Sequence, residues 1–240
     1  MQHQQTDKEM QKILNSVKFS GVIVFVLWLI HSYAVLSEMS LTHWGIYPRE
    51  VDGMIGIITA PLVHGGWQHL FSNSAPLFVS LTIIHYFYKR VALSAFFLIY
   101  FLTGFSVWMF GRSVYHIGAS GVVYGLIAFI FWSGVFRRNI KSIVLALVVT
   151  IFYFGYLEGI VPFQEGISWE SHLMGVFSGI LIAFLFKGLI EKDEIKRDPW
   201  AHERDDEEEY FLERDTFEKT LAQREWEEAQ RNRDQDLFYQ

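Results

Sequence analysis
The sequence predicts an all-α membrane protein of six spans, with both termini cytoplasmic. Three observations predict it. Hydrophobic residues make up 51% of the 240-residue chain, and nearly all the long apolar runs lie within residues 19–190. Six of these runs come close to the roughly 20 residues a helix needs to cross a bilayer core. Lysine and arginine gather on alternate sides of the runs, which sets orientation by the positive-inside rule. The runs are continuous and not alternating, so helices are expected in place of barrel strands.

The elements follow in order. An N-terminal arm, residues 1–18, carries Lys8, Lys12 and Lys18 and is expected on the cytoplasmic side. The first span is Phe19–Leu36. It is long for the apolar region of a signal peptide and no small-residue cleavage site follows, so it is expected to stay in the membrane. The second span, His69–Tyr88, exits at Lys89 and Arg90, and the third is Val91–Phe110. The fourth, Gly118–Phe136, exits at Arg137, Arg138 and Lys141. The fifth is Ile140–Leu157, and the sixth, Ser171–Ile190, ends among Lys187 and Lys192. The opposite side holds only Arg49 and Arg112. An even number of spans returns both termini to one side, as the charges require. Pro76 is expected to kink the second span locally. Trp44, Trp67, Trp108, Trp132 and Trp169 fall near span ends or in loops and read as interfacial anchors, whereas Trp28 lies inside the first span and does not fit.

Charge is segregated in the same way. Residues 191–240 hold 18 acidic and nine basic side chains, against eight and 11 in residues 1–190. The net charge of −6 therefore belongs to an acidic tail. Phe211, Phe217, Leu221 and Trp226 in that tail are too irregularly spaced for a clean amphipathic helix, so a solvated, partly helical appendage is expected. No cysteine is present, which excludes thiol catalysis, disulfides and Cys-based zinc sites. No basic stripe with interleaved aromatics marks a nucleic-acid surface. His64 and His69 stand five apart with no carboxylate beside them, so no metal site is expected, nor any cofactor.

Polar residues enter the apolar region at one depth. The second, fourth and sixth spans run in the same direction, and His69, Asn73, Ser120 and His172 all lie near their starts. Polar groups at membrane depth are costly and mark function. A helix start offers unpartnered N–H groups and a partial positive charge. There the Ser120 N–H is available to an oxyanion, and His172 is kept neutral and able to accept a proton. Gly121 and Gly125, and Gly175 and Gly179, are pairs four apart that allow close helix approach. Tyr124, one turn from Ser120, is placed to wall the histidine ring. His116 is a rival base four residues ahead of Ser120, but its loop position beside Arg112 reads as solvated. His31 and His85 read as structural, and Glu158, Glu165 and Glu170 as solvated rim residues. The nucleophile elbow of soluble hydrolases needs glycine two residues after the serine, where this chain has Val122.

Three motifs together resemble the rhomboid intramembrane serine proteases. They are His64-Gly65-Gly66-Trp67-Gln68-His69-Leu70-Phe71-Ser72-Asn73, then Gly118-Ala119-Ser120-Gly121 with Tyr124, then Ser171-His172-Leu173-Met174-Gly175 with Gly179. Their order and membrane placement match across residues 19–190. The resemblance implies a six-helix rhomboid-like core there, with Ser120 as nucleophile and His172 as base and no third acidic member. It implies His69, Asn73 and the Ser120 N–H as oxyanion donors, and Gly118, Gly121, Tyr124, Gly175, Gly179 and His64 as supporting residues. It further implies that the link Glu158–Trp169 is a mobile cap. The first loop departs from the family's Trp-Arg pair, since Trp44 precedes Gly45 and arginine comes only at Arg49. The implied activity is a serine endopeptidase acting on membrane proteins that carry a transmembrane segment, in a bacterial cytoplasmic membrane. The alternative is a catalytically silent relative that binds or chaperones membrane clients. A channel is less well matched, because the polar residues cluster near one face and not through the midplane.

Overall fold
A chain this apolar has few ways to satisfy its backbone in lipid, and helices use every N–H and C=O internally. The computed structural model describes residues 2–138, 143–148, 168–189 and 218–238. Their helices are α1 (Gln2–Leu36), α2 (Gly56–Thr59), α3 (Trp67–Phe87), α4 (Ala92–Phe110), α5 (Ser120–Arg137), α6 (Trp169–Leu185) and α7 (Leu221–Phe238). Among the described residues the one strand-like feature is an antiparallel bridge between Ile46 and His116. Among the described residues four helices are long and apolar enough to cross a membrane: α1 from Thr6 onward, α3, α4 and α5. The apolar α6 has 17 residues. Of the expected fifth span, residues 143–148 are helical and the rest lies outside the described residues.

The element boundaries shift for local reasons. α1 runs unbroken across residue 18, so the basic arm and the first span are one helix. α6 begins two residues earlier than its apolar run because Ser168 caps it, its hydroxyl accepting from the Ser171 N–H at 3.4 Å. Pro76 sits buried inside α3, which continues through it.

α1 packs on α3 through a polar seam. Tyr86 donates to Glu9 at 3.1 Å, and Ser16 Oγ and His85 Nδ1 share a hydrogen bond of 2.9 Å. Thr82 donates to Ser20 at 2.9 Å, and Trp28 Nε1 donates to Ser74 Oγ at 3.0 Å. That last bond explains Trp28, which serves as a cross-helix donor and not as an interfacial anchor. Polar pairs of this kind hold membrane helices together where burial alone supplies little drive.

α5 packs on α6 through glycine. A Cβ built on Gly175 would overlap the Gly121 carbonyl oxygen, and one on Gly179 would overlap the Gly125 carbonyl oxygen. On its other side α5 meets α4, where Ile99 is fully buried against Gly125. The buried cluster of Leu70, Ala95, Ile99, Val123, Leu126, Phe129 and Ile182 ties α3, α4, α5 and α6 together.

The loop between α1 and α3 is anchored to the segment between α4 and α5. Ile46 and His116 exchange two backbone hydrogen bonds of 2.9 Å, and the Gly118 N–H donates to the Ala60 carbonyl at 2.9 Å. Arg49 donates to the Gly111 carbonyl at 2.7 Å and to Ser113 Oγ at 2.8 Å. Trp108 Nε1 donates to the Glu50 carbonyl at 2.9 Å. Arg49 and Trp108 thus anchor a loop that lacks an adjacent Trp-Arg pair.

The chain divides into two compact units, residues 1–195 and 196–240. In the second, Gln223 Oε1 accepts from the Thr220 N–H at 2.9 Å at the start of α7, one half of a capping box. Leu221 and Trp226 on α7 are exposed, while Phe211 and Phe217 lie outside the described residues.

The seam yields a stability prediction. Gly179→Leu forces a side chain into a backbone carbonyl that cannot yield, and overpacking of this kind costs about 1–3 kcal/mol or more. Its thermal midpoint in detergent should fall clearly below wild type. Gly188→Ala, where a Cβ meets nothing within 4 Å, should leave the midpoint unchanged.

Candidate active site
Ser120 is the first residue of α5 and His172 the fourth of α6. Ser120 Oγ and His172 Nε2 lie 2.8 Å apart in a hydrogen bond. The glycine seam just described makes this reach feasible, because Gly121 and Gly175 stand one and three residues beyond the two side chains. The His172 ring is buried and stacks on Tyr124, with centroids 4.1 Å apart and planes 13° apart. Tyr124 thereby fixes the plane of the imidazole and leaves Nε2 facing the hydroxyl.

Two side chains of α3 flank the same point. Asn73 is buried, and its Nδ2 makes no hydrogen bond among the described residues. The Gly65 N–H points at His69 Nδ1 from 3.5 Å, which favours the tautomer with its proton on Nε2. Gly118 connects these groups to the serine. Its φ of +104° is a conformation that only glycine adopts readily, and a Cβ there would stand 2.5 Å from His69 Nε2 and 3.5 Å from Asn73 Nδ2. Glycine at 118 thus does two things: it turns the chain into α5 and it leaves room for the His69 ring, while Asn73 stands at ordinary contact distance. His64 lies beside them, buried, with its ring edge-on to His69 at 5.1 Å.

A cavity of about 850 Å³ opens over the pair. Gly65, Gln68, His69 and Ser72 line one side, Arg112, Tyr115 and His116 another, and Ser120 and His172 its floor.

Two sequence expectations fail here. His116 is not solvated: it is 2% exposed, with Nδ1 2.6 Å from Ser168 Oγ and Nε2 2.9 Å from the Arg112 carbonyl. Both ring nitrogens are engaged away from Ser120, which disqualifies it as a rival base. Glu170 is not a solvated rim residue: it is 4% exposed and holds Arg112 through both carboxylate oxygens. The sequence separation of 58 residues conceals that pairing. Glu158 and Glu165, and the expected cap apart from Ser168 and Trp169, lie outside the described residues. His31 packs edge-on against Trp67 at 4.7 Å, and His85 bonds Ser16.

Residues 51–188 match the family model of the Rhomboid domain. The chain belongs to the rhomboid family. It is an integral membrane protein of that family, and its described residues are built on helices. It is 36% identical over 175 residues to an uncharacterized protein of Mycobacterium tuberculosis (strain ATCC 25618 / H37Rv), covering 68% of this chain and 71% of that one. An uncharacterized protein of Mycobacterium leprae (strain TN) is 32% identical over 173 residues, with 67% of each chain covered. A Bacillus subtilis (strain 168) protein named "Putative rhomboid protease YdcA" is 27% identical over 180 residues, 70% of this rhomboid and 87% of the relative.

Burial sets a pH dependence. Desolvation, followed by the neighbouring charge of His69, lowers the His64 pKa from 6.5 to about 4. Burial also lowers that of His116. The unfolded chain takes up protons near 6.5 that the native state refuses, so acid favours unfolding from about 6.5 down to about 4. The thermal midpoint in detergent should fall as pH drops through this window. His64→Gln should flatten the decline at whatever cost in absolute stability, and a slope identical to wild type would refute the assignment.

Proposed function
We propose that this rhomboid is an intramembrane serine endopeptidase that cleaves membrane proteins in or near a transmembrane segment. The hydrogen bond of 2.8 Å between Ser120 and His172 carries the reading. It joins two side chains 52 residues apart on separate helices, with the buried Asn73 and the partly exposed His69 nearby. A serine in a membrane helix ordinarily bonds its own helix backbone, as Ser74 does to Leu70 and Ser178 to Met174.

The mechanism follows from the placement. Ser120 donates its hydroxyl proton to His172 Nε2 as Oγ attacks the substrate carbonyl. The Ser120 N–H, free of an intrahelical partner at the first position of α5, faces the developing oxyanion with Asn73 Nδ2 and His69 Nε2–H. Collapse of the intermediate returns the proton from His172 to the leaving amine. Water, deprotonated by His172, then releases the acyl group from Ser120. Glu170 takes no part, because its carboxylate is committed to Arg112. Gly118, Gly121, Gly175 and Gly179 hold the backbones close, and Tyr124 and His64 brace the two imidazoles. The chemistry needs no metal or cofactor.

The topology proposed with it has six spans in residues 19–190, both termini cytoplasmic, a basic N-terminal segment in residues 1–18 and an acidic tail in residues 191–240. Ser120 then opens toward the outer face of a bacterial cytoplasmic membrane. Substrates are membrane proteins carrying a transmembrane segment.

Two experiments test the reading. Detergent-purified wild type should be labelled by a fluorophosphonate and should cleave a model transmembrane substrate, and Ser120→Ala should do neither. An unlabelled, folded wild type would favour the silent client-binding relative. Asn73→Ala should lower kcat by about 10²–10³ with little change in KM, since the donor acts on charge present only in the transition state.

A further inference from the structure
We infer that His116 and Ser168 form a strut that positions His172 against Ser120. This rests on the dyad reading above. The two proposed catalytic side chains stand on helices that meet through glycine. A glycine seam allows close approach, but it presents few interlocking side chains to resist sliding along the helix axes. Something else must set the register of the two helix starts. The polar contacts between residues 111–119 and the first turn of α6 are the groups placed to do so.

The strut starts from a fixed base. The His116 backbone is clamped to Ile46 by the two-hydrogen-bond bridge, and its ring nitrogen Nε2 lies 2.9 Å from the Arg112 carbonyl. A carbonyl only accepts, so Nε2 carries the proton and Nδ1 is left as an acceptor. Ser168 Oγ, 2.6 Å away, must then donate to it. The lone pairs of Ser168 Oγ take the Ser171 hydroxyl at 2.6 Å and the Ser171 N–H at 3.4 Å. Its carbonyl takes the His172 N–H at 3.3 Å. Every hydrogen-bonding site of the Ser168 hydroxyl is thus used by one consistent set of protons. The hydroxyl joins the segment leading into Ser120 to the turn that carries His172.

The Arg112–Glu170 pair repeats the link one step away. It connects the same two segments by a two-point contact, from Nε to Oε1 and from Nη2 to Oε2. Arg112 is exposed whereas Glu170 is buried, so this link is open to solvent at its arginine end, unlike the buried ring of His116. His116 does not touch Ser120 and has no nitrogen available to act as a base. It is a positioning residue, and Ser168 is the group through which it acts.

Displacing a reacting group by about 1 Å costs on the order of 10²-fold in rate. Loss of the strut should therefore slow the attack without weakening substrate binding. The test uses the full-length protein in detergent and two readouts: the second-order rate of fluorophosphonate labelling, and kcat and KM on a transmembrane substrate. Ser168→Ala and His116→Phe should each lower the labelling rate and kcat by about 10- to 100-fold. KM should stay within about twofold, and the labelled fraction at completion should match wild type. The double variant should be no slower than the slower single one, because both cut the same link. Ser168→Thr, which keeps the hydroxyl, should recover most of the rate. If His116→Phe fails to fold, the Ser168→Ala and Ser168→Thr pair decides alone. Wild-type labelling rates in Ser168→Ala, a multiplicative double variant, or a lower labelled fraction at an unchanged rate would each overturn the strut. An unlabelled wild type would instead remove the dyad reading, and the strut with it.

Discussion
The structure depends on the backbone contact between α5 and α6. Gly121 and Gly125 on one helix face Gly175 and Gly179 on the other, close enough that no side chain fits between them. In lipid, apolar burial does little to bring helices together, and close packing must supply the attraction. The chemistry of the site depends on the same closeness. A serine hydroxyl and an imidazole have short reach, so their 2.8 Å separation requires two backbones that nearly touch.

Closeness alone leaves geometry undetermined, and the rest of the site supplies it. Tyr124 sets the plane of the His172 ring, and Gly118 leaves room for the His69 ring two residues before the serine. The first loop clamps residues 111–118 through Ile46, Arg49 and Ala60, and the polar links through His116 and Arg112 extend that clamp to α6. Polar groups buried at membrane depth are expensive unless paired. Here the pairings run between elements distant in sequence, so they specify tertiary arrangement as well as satisfying the groups themselves. The neutral histidines belong to the same logic, since a charged imidazole at the buried positions of His64 or His116 would lack the solvation it needs.

The helical class of this chain was legible because the bilayer imposes a length on apolar runs. The ends of α3, α4 and α5 fall within two residues of those expected from hydropathy. α1 was misjudged at its start, because a polar, basic stretch gives no apolar signal even when it continues a helix. The candidate site was legible because a serine, two histidines and an asparagine recur near the starts of apolar runs. Trp28, Glu170 and His116 were not legible. Each has a partner between 46 and 58 residues away, on another element, and no local pattern encodes that meeting.

Sequence by itself determined which segments are apolar enough for lipid, which residues bring chemistry into them, and where small residues permit contact. These are local properties: hydropathy, residue type and spacing along one helix. Only the tertiary structure decided that Ser120 and His172 share a hydrogen bond, that Arg49 anchors a loop to the segment before α5, and that a histidine read as solvated is buried against Ser168. Those outcomes depend on distances between separate helices, and such distances arise only when every helix is packed at once.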